Sequence, residues 1–219
     1  MAHFNGTEAQ PANQPELPAA LHFAKFLRAI RLLAPLGSMK TIFASRYTLE
    51  PLVVAHAREM FCVLSDQAIY EFENEPPPSE EWLEKRYERL QRRGPEKKPE
   101  QWLNWVVRLP SGELSGYVQS TLLPSGAALI AYEFGSRFWR QGIGTTSVLA
   151  MLQELRFTYR VHTFVAILKA ANFRSWGLLT SLGFSKASSV QFIEYGAESD
   201  EIVMVKLTNS LQNAAQRCQ

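Results

Sequence analysis

Apolar positions along the chain fall into runs of two kinds, and their order predicts the fold. Strand-like runs cover residues 46–54, 102–109 and 114–122, the last two joined by the turn Pro110-Ser111-Gly112-Glu113. A second turn, Pro124-Ser125-Gly126, delivers the chain to a buried strand that stops at Phe134. Helical spacing takes over from Thr145, with Val148, Leu149, Leu152, Leu155 and Tyr159 on one side. A strand over residues 162–168 then leads into a short helix opened by Asn172 and closed by Leu182-Gly183-Phe184. Residues 184–192 and 201–207 predict a closing antiparallel hairpin. Between the first strand and the second lie two helices, one over residues 55–64 and one capped by Ser79. The second carries Glu80 and Glu81 in its first turn, Arg92 and Arg93 in its last, and stops at Gly94-Pro95. The order predicts an α/β (α+β) class, a mixed and mostly antiparallel sheet of about six or seven strands flanked by helices.

The two ends read differently from this centre. The first 19 residues are rich in Pro, Ala, Asn and Gln and predict disorder. Phe23, Phe26, Leu27, Ile30 and Leu33 then recur at helical spacing until Pro35 and Gly37 stop the pattern. Residues 1–38 are therefore an extension with one basic amphipathic helix. A targeting presequence or a membrane-surface anchor is the lesser reading, since Glu8 and Glu16 are wrong for a presequence and no cleavage signal follows. A helix docked on the domain, or one without function, is the preferred one. Met39 stands just ahead of the patterned region as an alternative start. Residues 39–208 form the domain, and 209–219 a polar tail.

Composition narrows the class. With 219 residues, 46% apolar and 20% charged, the chain suits a soluble globular protein. A formal charge of +2 with no dense basic stripe argues against a nucleic-acid partner. The stretch Glu96-Lys97-Lys98-Pro99-Glu100 is mixed in sign and reads as a solvated loop. No apolar run reaches the length of a membrane span. Cys62 and Cys218 are far apart, as expected of two free thiols in the reducing cytoplasm. Monomer and homodimer both remain open.

The chemistry concentrates where Ala131-Tyr132-Glu133-Phe134-Gly135-Ser136-Arg137-Phe138-Trp139-Arg140-Gln141-Gly142-Ile143-Gly144-Thr145 turns from strand to helix. Such a turn gathers backbone N–H groups that have no helical partner, with the positive end of the helix dipole behind them, and so suits a diphosphate. Glycines let phosphates approach the backbone, although many Gly-x-Gly turns only join a strand to a helix. A second segment follows in Asn172-Phe173-Arg174-Ser175-Trp176-Gly177-Leu178-Leu179-Thr180-Ser181-Leu182-Gly183-Phe184. Together the two segments resemble the pyrophosphate loop and the Asn-x-x-Ser…Leu-Gly-Phe motif of the GNAT superfamily of acyl-CoA-dependent N-acetyltransferases. Trp139 and the entry Leu49-Glu50-Pro51-Leu52 are similar to its RimJ/RimL-type branch, and the resemblance spans residues 45–207. It implies a GNAT fold and acetyl-CoA as co-substrate, held by Phe134, Gln141, Gly142, Ile143, Gly144, Thr145 and Asn172. It also implies an amine acceptor, either a protein N-terminus or a small molecule. Many relatives protonate the thiolate with a Tyr one turn after the motif's Ser or Ala; here Leu178 and Leu179 stand there, and the resemblance to RimL-like proteins passes the role to Ser175.

Acetyl transfer needs a neutral amine, a donor for the oxyanion and a proton for the departing thiolate. Neutralising an N-terminal amine at pH 7 costs about 1.4 kcal/mol, and a lysine about 4.6 kcal/mol. Glu133, on the central strand just before the loop, is the candidate base, directly or through water. A strand glutamate facing solvent or pairing with a neighbour would look the same in sequence. Glu71 and Glu73 are alternatives on the loop before Pro76-Pro77-Pro78. Asn172 is a good N-cap and Ser175 a good first-turn residue whatever else they do. His56 and His162 lack metal-ligand spacing, so no metal is expected. The rival readings are a catalytically silent acyl-CoA-binding regulator and a nucleotide-binding α/β domain. The latter lacks a Walker-type lysine.

Overall fold

The computed structural model describes residues 39–72, 74–95 and 99–208. The expected extension at 1–38, Glu73, residues 96–98 of the charged loop, and the tail at 209–219 with Cys218 lie outside the described residues.

Among the described residues eight strands form one sheet in the order β1-β2-β3-β4-β5-β6-β8-β7. They are β1 (Ile42–Ala44), β2 (Tyr47–Pro51), β3 (Gln101–Arg108), β4 (Leu114–Leu122), β5 (Ala127–Phe134), β6 (Thr163–Lys169), β7 (Ser185–Lys186) and β8 (Glu201–Leu207). Neighbours run antiparallel except β5 and β6, which are parallel. The mixed, mostly antiparallel sheet matches the expected class. The short edge strand β1 was not foreseen.

Alternation along β3 divides the core. Trp105 and Val107 face one side with Leu49, Val118, Met151, Phe164 and Leu179, the side covered by α3 (Ile143–Phe157) and α4 (Phe173–Ser181). Val106 faces the other side with Leu52, Met60, Leu83, Tyr87 and Leu114, under α1 (Ala57–Leu64) and α2 (Glu80–Gln91). The Ser79 hydroxyl accepts the Trp82 amide at 3.1 Å, so α2 starts where its cap was expected.

Two local expectations are corrected. The strand expected over 184–192 shrinks to β7, because Ser188 and Gln191 form a capping box that starts a short helix, α5 (Ser189–Glu194). On α3 the buried stripe is Val148, Met151, Leu152 and Leu155, while Leu149 is 40% exposed. Tyr159 lies past the end of that helix and packs on the core partly buried.

Candidate active site

Strands β5 and β6 pair only through Ala127–Thr163, Ala128–Phe164 and Leu129–Val165. Beyond that they part, β5 running on to Phe134 and β6 to Lys169. A cleft of about 730 Å³ passes through the parting. One end is bordered by the turn at Gly142–Thr145, the waist by Tyr132, Glu133, Asn172 and Ser175, and the far end by Tyr70, Arg86, Tyr87 and Tyr117 beneath α1 and α2.

The turn has the geometry that its glycines suggested. Gly142 sits at φ 77°, in the left-handed region that favours glycine, and caps α3. The first helical bond of the turn runs from the Thr146 amide to the Gly142 carbonyl at 3.0 Å, so the amides of Ile143, Gly144 and Thr145 precede the helical ladder. Gly144 has a further constraint: a Cβ there would stand 3.0 Å from Leu178 Cδ1 and 3.4 Å from the Phe134 ring. The Ile143 side chain is buried in the core. Gln141 is exposed, and its side-chain amide turns back to donate to the Arg137 carbonyl at 2.8 Å. The Phe134 carbonyl accepts from the Trp139 indole at 2.7 Å, which seals the end of β5.

Asn172 caps α4, its Oδ1 accepting the Ser175 amide at 3.0 Å. The Tyr132 hydroxyl donates to the Ser175 carbonyl at 3.3 Å. Burial pushes the Tyr132 phenol up to about 12, against a smaller lowering by the bond to Ser175.

Glu133 lies opposite Tyr117 in the β4–β5 register, and the two share the α1–α2 side of the sheet. Burial first, and then the charge of Glu133, hold the Tyr117 hydroxyl well above the ordinary phenol range. The same two causes raise Tyr70, whose hydroxyl donates to the Leu64 carbonyl at 2.9 Å. Tyr87 is also raised, chiefly by burial, and its oxygen is buried without a hydrogen-bond partner among the described residues. The Arg86 guanidinium lies over the Trp82 ring, 5.6 Å from its centroid.

A latch spans the mouth. Arg174 pairs with Glu71 and lies over the rings of Phe72, Trp139 and Phe173 at 5.0, 4.5 and 5.1 Å. Asp66 ties the same loop to the end of β5, accepting the Ser136 amide at 2.6 Å. Glu71, an alternative base in the sequence, is thus held in an ion pair at the rim; Glu73 is outside the described residues. Sequence reasoning missed Tyr132, the three tyrosines under α1 and α2, Arg86 and the Arg174 latch. The available signal was the alternation of β4 and β5, which sets Tyr117 and Glu133 on one face and Tyr132 on the other.

The sequence profile described as acetyltransferase (GNAT) domain matches residues 46–185, well over half of the chain. The chain belongs to the GNAT acetyltransferase family. As a GNAT protein it is an acyl-CoA-dependent N-acetyltransferase. No curated protein sequence matches it. Among solved structures it is similar to RimL, a ribosomal L7/L12 α-N-protein acetyltransferase in complex with coenzyme A (TM-score 0.67, 18% identity, 78% of this chain and 99% of that one). It is also similar to ribosomal-protein-S5-alanine acetyltransferase from Vibrio fischeri (TM-score 0.64, 18% identity, 78% and 98%). A third likeness is to MccE, the microcin C7 self-immunity acetyltransferase in complex with acetyl-CoA and AMP (TM-score 0.63, 17% identity, 75% and 93%). At these identities the likeness speaks for the fold. Among the described residues no helix is long and apolar enough to cross a membrane, and no group of three His, Cys, Asp or Glu could hold a metal ion.

Proposed function

We propose that this GNAT protein transfers an acetyl group from acetyl-CoA to a primary amine, on a protein N-terminus or a small molecule, by direct attack in a ternary complex. One observation carries the reading: a single cleft joins the amides at the start of α3, through the parted strands, to Glu133 and its tyrosines. The residues suit acetyl-CoA. Amides outside the helical ladder at a helix start favour a diphosphate, and the unpaired edge of β5 beyond Leu129 offers backbone partners to an extended amide-bearing arm.

In this reading Ile143, Gly144 and Thr145 hold the diphosphate through their backbone amides, and Asn172 contacts the arm with the part of its amide that capping leaves over. Glu133 takes the amine proton, directly or through water. The Ser175 hydroxyl donates one hydrogen bond to the sulfur as it departs. Arg86 and Tyr87 border the end from which the acceptor enters.

The test is release of free CoA thiol from acetyl-CoA, with a panel of N-terminal peptides, lysine peptides and small amines, alongside the rise in melting temperature on adding CoA. Acetyl transfer to at least one amine is the expected result. Stabilisation by CoA without thiol release for any amine would overturn the reading.

A further inference from the structure

We infer that Tyr132 is the residue that delivers the proton to the departing CoA thiolate, from the face of the sheet opposite Glu133. The inference rests on the acetyl-transfer reading above and adds a residue to it.

Three observations carry it. The first is the alternation of β5: Glu133 shares the α1–α2 face with Tyr117, whereas Tyr132 packs with the core on the α3–α4 face. The parting of β5 from β6 opens a passage between these faces, and both side chains border it. A thioester lying across that passage would meet an amine on the Glu133 face and have Tyr132 and Ser175 on the other. The second is the contact of the Tyr132 hydroxyl with the Ser175 carbonyl, which places the phenol at the first turn of α4. This is the turn whose serine already borders the passage. The third is that, among the described residues, no other phenol borders the passage from the α3–α4 face. Tyr70, Tyr87 and Tyr117 border the far end of the cleft, on the Glu133 side. Leu179, where a tyrosine on α4 would stand, is 1% exposed.

A phenol is a far stronger acid than the serine hydroxyl beside it. Burial keeps Tyr132 protonated throughout the neutral and mildly alkaline range, as a proton donor must be. In the step itself the amine nitrogen bonds to the acetyl carbon and the carbon–sulfur bond breaks. The Tyr132 O–H turns from the Ser175 carbonyl to sulfur and gives up its proton there, and the amine gives one to Glu133. The phenolate is then reprotonated through solvent while Glu133 loses its proton, so amide and CoA thiol leave an unchanged protein.

The test compares wild type, Tyr132→Phe, Ser175→Ala, and protein carrying 3,5-difluorotyrosine at position 132. Tyr132→Phe is expected to keep its melting temperature and its stabilisation by CoA, and to lose roughly 100-fold in kcat. Fluorination lowers the phenol pKa. It should therefore bring the alkaline fall of kcat into a pH range where the wild type is still flat, which a purely structural hydroxyl would not do. Near-wild-type kcat for Tyr132→Phe, or a larger loss for Ser175→Ala than for Tyr132→Phe, overturns the inference alone. So does an unmoved alkaline limb. A wild-type protein that binds CoA and releases no thiol overturns the acetyl-transfer reading and the inference with it.

Discussion

The guanidinium of Arg174 lies 4.5 Å from the centroid of the Trp139 indole, so the first turn of α4 and the loop that follows β5 meet over the cleft through one stacked pair. Trp139 is held in turn by its bond to the Phe134 carbonyl, and Arg174 reaches on to Glu71. With Glu71 half exposed, the ion pair itself is worth little; the stacking on three rings matters more. Arg174→Met is therefore expected to cost less than about 2 kcal/mol of global stability. It should nonetheless speed amide hydrogen exchange across residues 67–72 many-fold. Unchanged exchange there would show that Arg174 does not restrain the loop.

The turn at Gly142 gives a second prediction. At φ 77° an alanine is strained by about 1 kcal/mol, whereas asparagine tolerates this region better. A Cβ at this position meets no protein atom within 4 Å, so the variants should fold. Chemical denaturation should rank stability as Gly, then Asn, then Ala. Folded Gly142→Val should also lose at least about tenfold in CoA affinity, since the added methyls crowd the amides proposed to hold the diphosphate.

Gly144 is constrained by packing instead. Gly144→Ala places a methyl 3.0 Å from Leu178 Cδ1 and is expected to destabilise by about 1–3 kcal/mol. Leu178→Ala in the same chain removes the clash. A double-mutant cycle should therefore show coupling of more than about 0.5 kcal/mol. Additive effects would mean the contact is not tight.

Acid should weaken the fold in two stages around Glu50. His56 accepts the Val53 amide on Nδ1 at 3.2 Å and faces Glu50 through Nε2 at 3.4 Å, an arrangement that suits the neutral ring. Burial outweighs the attraction of Glu50 and holds the His56 pKa below its ordinary value. A depressed histidine favours the folded state most above its unfolded pKa, and that advantage drains as pH falls below about 6.5. Glu50, bonded to Arg108 at 2.7 Å, is also held low, chiefly by that bond. Its contribution survives until pH falls past the ordinary carboxylate range and through its folded pKa. Melting temperature against pH should thus drop first near neutrality and again well below pH 5. His56→Gln should erase only the first drop.

Much of the fold was legible because single residues punctuate it. Ser79 capped α2 where expected, the Gly142 turn started α3, and Leu182-Gly183-Phe184 closed α4. The strand expected over 184–192 failed because Val190, Phe192 and Ile193 carry a strand-like apolar look, while the deciding signal was the polar pair Ser188 and Gln191. At the site, Glu133 and Ser175 were visible through the motifs that flank them. Tyr70, Tyr87 and Tyr117 were not, since they come from a 3-10 turn, α2 and β4 and share a chamber only after the sheet is folded. Tyr132 was hidden for another reason. Within an apolar strand a tyrosine reads as core, and only its reach to Ser175 across the parted strands sets it apart.

The three-pair contact of β5 with β6 also decides what the middle of the sheet can take up. From Ile130 to Glu133 an interior strand carries raw main-chain donors and acceptors in mid-sheet, a place where most folds leave none. An extended, amide-bearing segment entering there meets partners spaced as a neighbouring strand would space them.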